Sequence, residues 1–489
     1  MKTKFVQGAV WMICMRWAIR CAGLVSTLIL ARILTPADFG IVAMSSLVSG
    51  LLDIILELGT WQVLLRMRHA DRQAYDTAWT ITLIQSILLA VIVYFVAYPA
   101  ALYFHEPRLV AVMQVLAAGS VIGGLGNIGI IMFRRDLDFK SDFLVGFYSK
   151  VLAVIPTIIL ALVFRSYWAL VAGTIIGTAL AVIVSYVMHP FRPRLRLSEW
   201  RQFTTFATWM TPAGIANFLN QKADVFVVGY VANTAQLGAY NVASELSRMA
   251  TAEIVIPMAR AIYPNYAKLK DNLDELTSAF LIVLRTVGIV TFSAGFGIAA
   301  VADDLVHVVL GKQWGFAVPL IEWLGVFGTF AAIQSTIAGH ILIVLNRERT
   351  VFVISWLRLG VFGSSILVAA WAGTVVDVAI AGTLSTAAFT VGCLLYLPKV
   401  LPVSATRILR DFVRILLTAL AMFAVVKALH SHEIESHFVT LFIDVATGAA
   451  VFSLILYVSW IAEGRPDGPE NRIINLVSGT LERFRGIGG

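Results

Sequence analysis

Arg16 and Arg20 lie four residues apart inside the first apolar stretch of the chain, so a helix there carries both guanidinium groups on one face. A guanidinium keeps its charge on burial, and its planar fork matches the oxygens of a phosphate. Two on one face form a site for an anion, and such a face would be costly against hydrocarbon. Other charges also fall inside apolar stretches. Lys222 and Asp224 share one, Glu245, Arg248 and Glu253 the next, while Asp53 and Glu57, again four apart, stand near the end of the second. Arg285, Glu322 and Arg358 add single charges further on. Two chemistries suit the set. In one, a hydrated cavity uses Arg16, Arg20, Lys222 and Arg248 to attract an anion, and Asp53, Glu57, Asp224, Glu245 and Glu253 to carry a coupling proton or sodium ion. In the other, the charges only pair helix to helix, which suits Asp53 and Glu57 best because ionisation costs less near the interface. Lys150, Arg260 and Arg414 are placed near segment ends, from which a long side chain snorkels to water.

The elements that must hold these charges follow from composition. The 489 residues are 59% hydrophobic and 13% charged, with a mean hydropathy of +0.84, where a soluble domain carries roughly a quarter charged residues. This is an integral membrane protein. Fourteen stretches reach the roughly 20 apolar residues that a spanning helix needs: 7–31, 39–61, 78–99, 109–133, 142–164, 167–188, 204–230, 238–261, 277–301, 316–345, 351–372, 376–397, 409–429 and 438–461. An even number puts both termini on one side. Basic clusters such as Arg66/Arg68/Arg72, Arg134/Arg135/Lys140 and Arg192/Arg194/Arg196/Arg201 follow every second stretch. With cytoplasmic termini, 23 of the 37 Lys and Arg lie inside and five, Arg32, Arg108, Arg165, Lys312 and Lys427, outside.

The same asymmetry accounts for the net charge of +8, and no basic stripe or aromatic-basic motif points to nucleic acid. Cys14, Cys21 and Cys393 sit in apolar stretches without paired spacing and read as packing residues. Arg16 and Arg20 interrupt what would be the apolar core of a signal peptide, so the first stretch reads as a retained membrane helix. Loops no longer than about 20 residues, without a phosphate cradle or nucleophile elbow, argue for a protein that is not an enzyme and needs no cofactor or metal. His430, His432 and His437 read as solvated loop residues, since no Cys or Asp stands beside them in sequence.

A faint repeat runs through the chain. LARILTPADFGIVA, starting at Leu30, and VGYVANTAQLGAYN, starting at Val228, each end one helix, turn and start another with a bulky apolar residue and a glycine, Phe39-Gly40 and Leu237-Gly238, at an offset of 198. Six stretches separate the copies, so the halves share an orientation and an axis along the membrane normal would relate them. Pro156, Pro212, Pro257 and Pro319 fall within stretches as helix breakers, and Gly119, Gly123, Gly124, Gly126 and Gly129 form either a hinge or a close-packing face. The C-terminal tail carries Ile473, Ile474, Val477, Leu481 and Phe484 on one face and reads as a helix lying on the inner leaflet.

The stretches LARILTPADFGIVAM, FRRDLDFKSDF after the fourth segment, ADVFVVGYVANTAQLGAYNVASEL and PNYAKLKD after the eighth resemble the polysaccharide transporters of the multidrug/oligosaccharidyl-lipid/polysaccharide exporter superfamily. Within it they are similar to the Wzx-type lipopolysaccharide and exopolysaccharide flippases, and the resemblance runs along essentially the whole chain. It implies an all-α polytopic membrane protein of about 14 transmembrane helices in a bacterial inner membrane. Two six-helix lobes, 1–190 and 191–398, would be followed by two extra helices, 399–462, and a cytoplasmic amphipathic tail, 463–489. The implied function moves an undecaprenyl-pyrophosphate-linked oligosaccharide from the cytoplasmic to the periplasmic leaflet by alternating access around a cationic lumen. The implied partners are that lipid-linked oligosaccharide, the phospholipid membrane and other polysaccharide assembly proteins. Arg16, Arg20 and Arg248 are assigned to the lumen from depth and charge, not from a family motif. Two alternatives stay open: a drug or small-cation antiporter of the same superfamily, which predicts an acidic or aromatic cavity, and a glycan polymerase or ligase, which predicts a long outer loop with catalytic Arg or His.

Overall fold

The predicted stretches are mainly helical in the computed structural model, although 39–61 is broken between Leu56 and Thr60 and 109–133 between Gly124 and Ile131, and no strand occurs among the described residues. The structure describes residues 2–67, 70–136, 138–337, 341–429 and 436–464, and the side chains of these except 2–16, 204–210, 213, 252–254, 256–265, 348 and 372. The amphipathic-tail expectation for 463–489 therefore lies almost wholly outside the described residues.

The helices in chain order are α1 (Lys2–Ile33), α2 (Pro36–Leu56), α3 (Thr60–Arg66), α4 (Arg72–Tyr103), α5 (Arg108–Gly124), α6 (Ile131–Arg135), α7 (Phe139–Phe164), α8 (Tyr167–Met188) and α9 (Trp200–Val231). They continue as α10 (Thr234–Leu269), α11 (Leu273–Ala300), α12 (Ala302–Leu305), α13 (Ala317–Thr336), α14 (Leu342–Val344), α15 (Glu348–Ala372), α16 (Val375–Tyr396), α17 (Ala405–Leu429) and α18 (His437–Ala462). Among the described residues ten are long and apolar enough to cross a membrane, or eleven if the bent pair formed by α5 and the turn into α6 counts as one span. Large apolar side chains such as Phe95, Val163, Val187, Phe442 and Trp371 are exposed, as lipid-facing surfaces require.

Two compact units divide the chain, Met1–Asn241 and Val242–Gly489. In the first, α7 packs on α1 and α8, α5 on α4 and α8, and α2 on α9. In the second, α11 packs on α13 and α17, α16 on α13 and α15, and α17 on α18, around Phe280, Phe292, Phe330 and Phe412.

The repeat has a structural cause within the first unit. A Cβ on Gly40 would overlap the carbonyl oxygen of Thr234, and a Cβ on Gly238 would overlap that of Pro36. Pro36 and Thr234 are equivalent positions of the repeat, as are Gly40 and Gly238, so the contact is reciprocal and marks a local two-fold. Only glycine lets the two backbones approach so closely. Each copy also caps its helix alike: Asp38 N–H donates to Thr35 Oγ1 at 3.4 Å while Thr35 N–H donates to Asp38 Oδ2 at 2.9 Å, and Gln236 N–H donates to Asn233 Oδ1 at 2.9 Å while Asn233 N–H donates to Gln236 Oε1 at 3.1 Å.

The glycine run resolves into packing plus one break. Cβ atoms on Gly119 and Gly123 would lie 3.3 Å from Ile175 and 3.4 Å from Thr178 of α8, while one on Gly124 would press on Ser86 of α4. The chain then bends by 61° beyond α5. Buried Asn127 fills the break, its Nδ2 donating to the carbonyls of Ser185, His189 and Phe191 and its Oδ1 accepting from Gly129 N–H. Pro319 breaks nothing: it is the third residue of α13, where its missing N–H has no helical partner to lose.

Candidate functional site

Arg16 and Arg20 lie on α1, and Arg20 is exposed; the Arg16 side chain is outside the described residues. Gly23 continues the same stripe three residues beyond Arg20. There the missing side chain leaves room for Lys150 of α7, whose Cε and Nζ would lie 3.3 and 3.6 Å from a Cβ. Gly146, one turn earlier on α7, does the same for Ile19. Lys150 is thus not the end-of-helix cation expected from sequence. It is the twelfth residue of α7, because the helix starts at Phe139 behind an Asp138 cap, and its exposed ammonium lies one turn along α1 from Arg20. Sequence reasoning missed it as a site residue because the start of α7 is polar enough to pass for loop.

The remaining candidates occupy different environments. Lys222 on α9 is half-buried, whereas Asp224 is 6% exposed and accepts from Tyr240 Oη at 2.8 Å, a buried tie between α9 and the first turns of α10. Asp53 and Glu57 are exposed at the end of α2; Glu57 Oε1 accepts from Gln62 Nε2 at 3.4 Å, and its carbonyl accepts from Thr211 Oγ1 at 3.2 Å. In the second unit Glu245 and Arg248 on α10 are exposed, while the Glu253 side chain falls outside the described residues.

Three charges expected to stand alone or to snorkel are paired instead. Arg285 donates through Nε to Asp411 Oδ2 at 2.8 Å with Nη2 at 2.7 Å, and both side chains are buried between α11 and α17. Glu322 of α13 takes Lys427 at 2.7 Å. Half-buried Arg414 of α17 donates to Glu463, which caps α18, at 2.8 Å. The pairing reading therefore holds for α17, which is tied to its neighbours at three positions along its length.

Outside the spans, Glu106 is a buried carboxylate that sequence reasoning did not single out. It accepts from Arg108 Nε and Nη2, both at 2.8 Å, and from Thr234 Oγ1 at 2.8 Å, beside the crossing of the repeats. The Arg108 hydrogen bonds, opposed by burial and helped by Thr234, hold its carboxyl down to about 2. Nearby, Asp38 Oδ1 accepts from the backbone N–H of Tyr167, so this end of the first unit is closed by carboxylates bonded to fixed donors. At its other end the basic linker between α8 and α9 is held along α4: Arg194 N–H donates to Asp76 Oδ1 and Arg196 N–H to Thr80 Oγ1, each at 2.9 Å. Backbone groups anchor Arg194 and Arg196, the Arg192 guanidinium donates to the carbonyls of Tyr186, His189 and Phe191, and all three side chains stay exposed.

Residues 29–319 match the family described as polysaccharide biosynthesis protein. The chain belongs to this family. It is 22% identical to the lipopolysaccharide biosynthesis protein WzxC of Escherichia coli K12 over 70% of each chain, and 22% identical to the succinoglycan biosynthesis transport protein ExoT of Rhizobium meliloti over 60% of each. Its fold is that of the lipid II flippase MurJ in an inward closed conformation, with a TM-score of 0.76 at 13% identity over 93% of this chain and 100% of that one. The polysaccharide biosynthesis match includes both copies of the repeat, Lys150, Lys222 and Arg248, and begins beyond Arg16 and Arg20.

Proposed function

We propose that this membrane protein is a flippase that moves an undecaprenyl-pyrophosphate-linked oligosaccharide from the cytoplasmic to the periplasmic leaflet of a bacterial inner membrane, with both termini cytoplasmic. The observation that carries the reading is the cationic face of α1 and α7, where exposed Arg20 and Lys150 lie far from either helix end. Exposure of such groups to hydrocarbon is costly, so that face looks onto water or an anion. A polyprenyl tail stays in lipid throughout, whereas pyrophosphate and sugar hydroxyls cross hydrocarbon only at great cost. Guanidinium and ammonium groups in a confined wet cavity attract phosphate more strongly than they would in bulk water. Alternating exposure of that face to the two sides then moves the headgroup. Lys222 adds a cation in the first unit and Arg248 one in the second, and protonation or sodium binding at Asp53 or Glu57 in the first or Glu245 in the second supplies a means of release.

Reconstitution with a fluorescent lipid-linked oligosaccharide tests this. Leaflet transfer by wild type is expected to fall roughly tenfold or more in Arg16→Ala/Arg20→Ala, the loss expected when hydrogen bonds to a charged group are removed. Unchanged transfer in the double variant rejects the assignment of those arginines. Wild type that moves no lipid-linked glycan yet exports an organic cation rejects the flippase reading in favour of an antiporter, and elongation or ligation of the glycan rejects it in favour of a polymerase or ligase.

A further inference from the structure

We infer that the second unit carries a binding site for a divalent transition ion of the zinc type, built from Asp303, His307 and His437. These residues come from two places: α12 with the π-turn Val306–Leu310 that follows it, and the first residue of α18. One ligand atom from each lies within 4.8 Å of the others. The imidazoles of His307 and His437 lie parallel, 7° apart in plane, with centroids 4.6 Å apart. The sequence hid the cluster, because the aspartates beside His437, Asp303 and Asp304, come from more than a hundred residues away.

The surroundings prepare both rings for a metal. His437 Nδ1 lies 2.6 Å from Oδ1 of Asp304, which is 1% exposed, and His307 Nδ1 lies 2.9 Å from the carbonyl oxygen of Asp303. A carbonyl or carboxylate oxygen only accepts, so each ring carries its proton on Nδ1 and keeps the Nε2 lone pair for an ion. A buried carboxylate that holds a histidine by its far nitrogen is the usual support of a metal-ligating imidazole. The π-turn is closed by Gly311 N–H donating to Val306 O at 2.8 Å, and it sets His307 beneath His437. Metal bonds of roughly 2.0–2.2 Å require donors closer than the present spread, so all three side chains must draw together on binding, with Asp304 still holding His437. Two imidazoles and a carboxylate suit zinc, nickel, cobalt or copper better than magnesium or calcium, which prefer oxygen alone. Three ligands leave a position for water, and a bound ion would fasten the start of α18 to the turn after α11.

The test uses the full chain, purified in detergent through a tag without histidine and titrated with zinc against a chromophoric chelator. One zinc per chain is expected, undisturbed by excess magnesium or calcium, abolished in His307→Ala/His437→Ala and weakened about 10- to 100-fold in Asp304→Asn, which acts through His437. X-ray absorption of zinc-loaded wild type guards against a folding defect in the variants; two imidazoles in the zinc shell are expected. Wild type that binds no zinc, a double variant that binds it as wild type does, or a zinc shell without imidazole overturns the site.

Discussion

The Arg285–Asp411 pair joins residues 126 apart in sequence, and its two side chains are 7% and 6% exposed. Both guanidinium contacts fall on Asp411 Oδ2, and Oδ1 has no partner among the described residues. Removing one member of such a pair strands the other charge, which costs about 3–5 kcal/mol, whereas replacing both by apolar residues of similar volume is often neutral. Arg285→Met and Asp411→Leu are therefore each expected to be strongly destabilising, and Arg285→Met/Asp411→Leu to recover most of the loss. Thermal unfolding in detergent across the double-mutant cycle measures the coupling, and additive losses would show that the pair does not act as a unit. The sequence displayed both charges but not their union. A helix-face spacing betrays partners four residues apart, as for Arg16 and Arg20, and says nothing of a carboxylate on a helix that arrives four spans later.

At the scale of elements, the crossing of α2 and α10 makes the sharpest demand on residue type. Gly40 and Gly238 each occupy a point where a Cβ would meet a backbone carbonyl, which cannot rotate aside as a side chain can. Gly40→Ala or Gly238→Ala is expected to lower stability by at least about 1–3 kcal/mol, the usual cost of overpacking, and the pair to be non-additive because both act on one crossing. Gly360 of α15 has nothing within 4 Å of a built Cβ, so Gly360→Ala is expected to be neutral or to stabilise by up to about 1 kcal/mol through helix propensity. Unfolding midpoints in detergent separate the two cases, and equal effects at Gly40 and Gly360 would refute the crossing. Hydropathy located the helices well because burial in lipid demands an unbroken apolar run. It misplaced their ends, as at α10, which runs from Thr234 to Leu269 against an expected 238–261, because a helix continues past the apolar region once its caps and packing permit. It also missed the bend beyond α5, since Asn127 satisfies the broken backbone with little change in composition.

For the whole molecule, membrane charges divide by what surrounds them. Arg285, Arg414 and Lys427 sit against carboxylates at bonding distance, which assigns them to holding α17 in the second unit. Lys150 is exposed on a helix pair of the first unit, where solvation or an anion must balance it, and exposed Arg20 lies one turn along α1 from it. Counting charged residues inside apolar stretches found both sorts, and only the three-dimensional neighbourhood separates them. Transport should separate them too. Lys150→Met is expected to cut transfer of a lipid-linked oligosaccharide roughly tenfold or more while leaving the unfolding midpoint near that of wild type, and Lys150→Arg to restore much of the transfer, since either cation meets a phosphate. Arg414→Met is expected to do the reverse, lowering the midpoint through loss of its Glu463 partner with little effect on transfer per folded molecule. Transfer in vesicles and unfolding in detergent, measured on the same preparations, give both quantities. If Lys150→Met destabilises without slowing transfer, Lys150 belongs with the pairing charges, and the cationic face contracts to the arginines of α1.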